Sequence, residues 1–205
     1  MEEYNTNTIR HFTNVDALFK ILKSGLKFSS GRSWADKNDA YDIERYKKIV
    51  NKDVAILCMC DGKGNMYHWT NLGHKNIFCK YSNIKCNIAF YKDDFLEYVS
   101  SLNKFEKPRP IIYCDETETI TQELSNIPFL KNKEYIVEKE IRLLYIGDNA
   151  QKEAIIPNIR PYIRNITISK NDCNDKNFAI IKRRIEHLYP QLKGHITPNK
   201  SKLAG

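Results

Sequence analysis

Short apolar runs separated by turn residues constrain this chain more than any other feature. Residues 53–60, DVAILCMC, are apolar almost without interruption and too few for an ordinary helix, which makes them a buried strand. Further strand-like runs are TIRHF (8–12), LKFSS (26–30), RPIIYCD (109–115), VEKEIRLLYIG (137–147), EAII (153–156) and RNITIS (164–169). KNIFCKYS (75–82) and KCNIAFY (85–91) pattern as two strands across a tight turn at Ser82-Asn83. Helical spacing follows Asn14, a good N-cap, with Val15, Leu18, Phe19 and Leu22 on one face and Gly25 just past the end. A second helix starts near Asp42 and carries Ile43, Tyr46, Ile49 and Val50, after a polar loop GRSWADKNDAYD over 31–42. Shorter helices are expected over 93–102 and 116–124. A last one over 174–189 turns Phe178, Ile181, Ile185 and Leu188 inward and stops at Pro190. Strands outnumber helices and come in hairpin-like runs, without strand–helix alternation. The expected class is α+β, with a mostly antiparallel β core flanked by helices.

At 205 residues, with 41% hydrophobic and 11% aromatic side chains, the chain can bury the core of a single domain. That core is expected over about 8–190, with 191–205 as a tail. No apolar run reaches the roughly 18–20 residues that span a bilayer, and the start MEEYNTNTIRHF lacks a secretory pattern. The expectation is a cytoplasmic protein with no membrane partner. Six cysteines without a C-x-x-C suit buried thiols in a reducing compartment. A zinc set drawn from Cys58, Cys60, His68, His74 and Cys79 would place its C-x-C on one strand face without a knuckle turn, so no metal is expected. The net charge of +8 favours polyanions and is spread along the sequence, densest at Lys182-Arg183-Arg184.

Glycine-rich nucleotide loops, G-x-S-x-G and H-E-x-x-H are all absent. Three stretches could carry chemistry. His11 ends a strand just before a helix cap. The loop SSGRSWADKND holds Arg32, Trp34, Asn38 and Asp39. In VEKEIRLLYI, Glu138, Glu140 and Arg142 recur at every second position. That last face is either a solvated outer face on which Arg142 neutralises its neighbours, or a catalytic wall in which one carboxylate stays ionised while the other is tuned.

Three motifs resemble the bacterial family of unknown function DUF2971. They are His11-Phe12-Thr13 followed by a helix and Gly25-Leu26-Lys27-Phe28-Ser29-Ser30, then Asn38-Asp39-Ala40-Tyr41-Asp42, and later KNKEYIVEKEIRLL over 131–144. The segment NMYHWTNLGHKNIFCKYS (65–82) is similar to a fourth. Ala40 stands where the family favours proline, and Tyr67 and Tyr135 where it favours tryptophan. The arrangement also resembles, more loosely, the ADP-ribosyltransferase fold of DNA-modifying toxins. That resemblance implies a split β core whose cleft holds NAD⁺ as substrate, cleaved at its nicotinamide bond. It implies that His11 orients the nicotinamide ribose and that Phe12 and Thr13 clamp the carboxamide. Ser29 or Ser30 would meet the second ribose or a phosphate, with Arg32 or Arg142 on the pyrophosphate and Asn38 and Asp39 also bordering the cofactor. Glu140 would face the ribosyl cation, and Glu138 would deprotonate an acceptor on nucleic acid, protein or water. Two other readings stay open: a non-catalytic nucleic-acid-binding module using Lys176, Lys182, Arg183 and Arg184, and a scaffold whose charged face is only solvated.

Overall fold

The computed structural model of this chain describes residues 7–30, 37–62, 64, 68–69, 81–115 and 123–199. It shows a mixed α+β protein whose strand pairing is mostly antiparallel. In chain order the described strands begin with β1 (Thr8–Asn14), β2 (Leu26–Lys27), β3 (Asp53–Asp61), β4 (Lys85–Tyr91), β5 (Arg109–Pro110) and β6 (Ile112–Cys114). There follow β7 (Leu130–Asn132), β8 (Glu140–Gly147), β9 (Ile155–Ile156), β10 (Ile163–Ile168) and β11 (Ile196–Pro198). The longer helices are α1 (Val15–Ser24), α2 (Lys37–Val50), α3 (Lys92–Ser101) and α4 (Asp175–Leu188). The chain divides into two compact units. The first comprises Met1–Gly25, Gly62–Lys92 and Asn158–Gly205; the second comprises Leu26–Asp61 and Asp93–Pro157.

In the first unit the strand order is β11-β10-β4-β1. β4 runs antiparallel to β1, from Thr8 opposite Tyr91 to Asn14 opposite Lys85, and antiparallel to β10 on its other edge. β11 adds in parallel to β10. Asn14 ends β1 and starts α1, its Oδ1 accepting from the Ala17 N–H at 2.9 Å. Gly25 closes that helix at φ 97°, where a side chain would be strained. Val15, Leu18, Ile21 and Leu22 are buried, as the helical spacing requires. From α4 only Ile181 and Ile185 turn fully inward; Leu188, expected there too, is exposed in the last turn before Pro190.

The second unit is built around β8, which pairs antiparallel with β3 on one edge and with β5 on the other. Strand alternation puts Glu140, Arg142 and Leu144 on one face of β8, and the pairing sets Cys60, Cys58 and Ile56 opposite them. One end of this face is apolar: Val54, Ile56 and Leu144 cluster with Ile43 and Tyr46 of α2 and with Ile111 and Phe129. Asp39, Ile43 and Tyr46 are spaced i, i+4, i+7, so one face of α2 carries the carboxylate and the two apolar anchors together. The register that seats Ile43 and Tyr46 on the apolar end therefore delivers Asp39 to the charged end.

Several expectations change. α2 begins at Lys37 and not near Asp42, so Asp39 is helical and lies outside any loop. The run 137–147 is not one strand. Residues Lys133–Glu138 wind as a 3-10 helix, Lys139 takes the left-handed conformation (φ 46°, ψ 48°), and β8 starts only at Glu140. The run 109–115 is split as well. Arg109–Pro110 lies on β8, whereas Ile112–Cys114 pairs in parallel with β7, the break falling at a proline that has no N–H to give. The hairpin expected between 75–82 and 85–91 falls mostly outside the described residues, and both edges of β4 are taken by β1 and β10. The helix over 116–124 likewise lies mostly outside them. Within the expected tail, Pro190–Leu192 forms a 3-10 turn and Ile196–Pro198 a strand. No helix among the described residues is long and apolar enough to cross a membrane.

Candidate functional site

Five ionisable side chains of the second unit converge at the charged end of β8. Arg142 is fully buried, at 0% exposure, and makes four hydrogen bonds. Its Nη1 and Nη2 donate to the two oxygens of Asp39 at 2.8 and 2.5 Å, a fork-to-fork pair. Its Nε donates to Glu140 Oε1 at 2.7 Å, and Nη1 also donates to the Pro128 carbonyl at 2.8 Å. The other Glu140 oxygen accepts from Lys131 Nζ at 3.0 Å, and the same ammonium donates to Glu138 Oε2 at 2.6 Å. Lys131 Nζ also lies 5.0 Å from the centre of the Tyr135 ring. The Glu140 backbone is fixed separately, its N–H donating to the Tyr113 hydroxyl at 2.9 Å. Glu138 is off the strand altogether. The left-handed turn at Lys139 is what brings its carboxylate back beside that of Glu140.

Among the described residues, three carboxylates of the cluster stand against two cations. Burial alone would push the Glu140 carboxyl up, but Arg142 and Lys131 outweigh it and hold this acid well below its usual value of 4.5. Asp39 goes the other way: burial raises it despite the guanidinium, and the neighbouring Glu140 adds to the rise. Burial would lower Lys131, yet Glu140 and Glu138 keep it firmly protonated. The cluster thus moves two of its acids in opposite directions, Glu140 down and Asp39 up. On β3, Cys58 donates its thiol proton to Glu140, and burial followed by that carboxylate raises the thiol well above its usual range. Cys58 is nevertheless solvent-exposed.

The cluster gathers Glu138, Glu140, Arg142 and Asp39 from the expected site residues, in a different order of contact. Asp39 and Arg142, expected on the cofactor, hold each other, and the Arg142 donors already in use face Asp39, Glu140 and Pro128 instead of a pyrophosphate. Ser29 is tied to β3 through reciprocal backbone bonds to Ile56 at 2.9 Å, its hydroxyl lying 3.4 Å from the Ile56 carbonyl. Ser30 follows it at an exposed position. Arg32 and the Asn38 side chain lie outside the described residues. His11, Phe12 and Thr13 belong to β1 of the first unit, where the Phe12 ring stacks on His68 with centroids 4.9 Å apart and meets the edge of Trp69 at 5.4 Å. Of the possible zinc ligands, His74 and Cys79 lie outside the described residues. No group of three His, Cys, Asp or Glu among the described residues is placed to hold a metal. Lys131 and Tyr113 are residues of the cluster that the sequence does not point to as site residues, and Cys58 stands out there only as a possible zinc ligand. The one signal for Lys131 is its place at the head of the 131–144 signature.

No protein-family model matches the chain and no curated protein does either. The likeness to DUF2971 and to the ADP-ribosyltransferase fold therefore stands on the quoted motifs alone.

Proposed function

We propose that this chain is an NAD-consuming enzyme of the ADP-ribosyltransferase type, with Glu140 as the counter-charge for the reacting sugar. The observation that carries this reading is a carboxylate held ionised by Arg142 and Lys131 in a largely dehydrated setting, beside an exposed thiol. When the bond between nicotinamide and ribose breaks, its electron pair leaves with nicotinamide and positive charge builds on the ribosyl carbon. A pre-fixed anion in poorly hydrated surroundings stabilises that charge without reorganising at the moment of reaction. An acceptor oxygen or nitrogen then bonds to the carbon and gives up its proton. Glu138, sharing the Lys131 ammonium, is the second carboxylate available to take it. Asp39 and Arg142 act as positioning residues that hold Glu140 in place. The test is incubation of the full chain with NAD⁺ alone, with nucleic acid and with a protein mixture, measuring free nicotinamide. Release above the protein-free blank is the expected result. Absence of release in all three mixtures removes the reading.

A further inference from the structure

The two units differ sharply in charge. The stretches of the first hold 18 Lys and Arg against 6 Asp and Glu, a net +12; those of the second hold 15 against 19, a net −4; together they make up the chain's +8. The basic surplus that looks evenly spread along the sequence is thus a property of one unit. Within it, α4 turns Ile181 and Ile185 inward and presents Lys176, Ile180, Arg183, Arg184 and His187 along its outer side. With Ala179, these residues line an open groove of about 520 Å³. No carboxylate among the described residues lines it. Asp175 is engaged by Lys170, while Glu186 faces Lys182 at 3.9 Å and accepts from the Gly194 N–H at 3.3 Å. The Arg184 guanidinium is steadied over the Phe19 ring, 4.7 Å from its centre.

We propose that this face of α4 binds the phosphate backbone of nucleic acid, independently of sequence. Residues 176 to 187 span about 16 Å at 1.5 Å per residue, a length over which a nucleic-acid strand presents several phosphates. Three permanent cations and a histidine along that length, unopposed by acids in the groove, complement a row of negative charges. The exposed large apolar side chains of this helix are Ile180, at 47%, and Leu188, at 53%, two residues that are too few to anchor it in a bilayer. A flexible acidic peptide would need only the stripe. The +12 of the whole unit suits an extended polyanion. Lys182, counted with this cluster in sequence, faces Glu186 and lies outside the groove lining.

The inference does not depend on the chemistry at Glu140, and the experiment keeps the two apart. Anisotropy of labelled duplex and single-stranded oligonucleotides is followed with the full chain at increasing salt, for the wild type and for Lys176→Gln/Arg183→Gln. Both residues lie on the outer side of α4, so circular dichroism should show an unchanged fold. Binding should weaken steeply with salt, and the double substitution should lower the slope of log K against log salt by about 2, one unit for each phosphate no longer neutralised. Lys48→Gln/Lys152→Gln, in the second unit, should leave the slope unchanged, and Glu140→Gln should still bind. No binding at low salt, a slope the α4 substitutions do not change, or binding to anionic vesicles without binding to oligonucleotides would each overturn the proposal.

Discussion

Replacing Arg142 by Met is expected to destabilise the protein by about 3–5 kcal/mol, the usual cost of removing one partner from a buried ion pair. Methionine fills much of the same volume and can pack against the Ile56 and Leu144 end of the face, so a cavity is not the main cause. The loss comes from what remains. Asp39 would keep a buried carboxylate but lose the two hydrogen bonds from Arg142, and Glu140 would keep Lys131 but lose its shorter partner. Urea unfolding followed by fluorescence measures the effect. An Asp39→Asn/Arg142→Met double variant should lose less than the sum of the two single losses, since the second change removes the stranded charge. A loss under about 1 kcal/mol for Arg142→Met, the range of an exposed pair, would mean that this network is solvated and holds nothing in place.

On the proposed function, Glu140→Gln should lower nicotinamide release from NAD⁺ by about 10²–10³-fold, the range seen when one preorganised electrostatic group is removed from an active site. The amide keeps the shape but not the charge, and its NH₂ would face either the Arg142 Nε or the Lys131 ammonium, donor against donor. The variant will therefore be less stable as well, and turnover must be compared where both proteins are folded by circular dichroism. Glu138→Gln supplies the internal control. It removes the other acid held by the same ammonium, so it disturbs the cluster comparably. On the proposed roles it slows transfer to the acceptor more than it slows nicotinamide release. Equal losses of release in the two variants would reduce both acids to structural parts.

Local physics made parts of this architecture visible in the sequence. Asn14 and Gly25 mark the ends of α1 because each supplies what a helix terminus lacks, a side-chain acceptor at the start and a tolerated positive φ past the end. DVAILCMC became β3 because an unbroken apolar run of that length has few other uses. The misses trace to distant contacts and to a local turn that simple periodicity does not carry. Asp39 sits in a polar stretch that reads as loop, and its partner Arg142 is 103 residues away. Glu138 and Glu140 share a face in the simple strand pattern; in the molecule they share a lysine, through a left-handed residue that alternation cannot foresee. Lys131 belongs to a three-residue strand that only its pairing with β6 defines. The charge segregation is hidden for the same reason, because the two units interleave along the chain and any running average mixes them. The motif resemblance did pick out Asp39, Glu138, Glu140 and Arg142 together, but not the way they pair.

The proposed chemistry requires Glu140 to be a permanent anion at this site. Its ionised form contributes stability that is present above the ordinary glutamate value of 4.5 and is lost as pH falls through its much lower value in the folded protein. The most direct measurement is an NMR titration of the side-chain carboxyl carbons, with Glu140 assigned by comparison with Glu140→Gln. Its signal should hold the ionised position as pH falls past the ordinary glutamate value of 4.5. A Glu140 signal that titrates at 4.5 or above would show an ordinary or protonated acid there, and the counter-charge on which the chemistry depends would be missing.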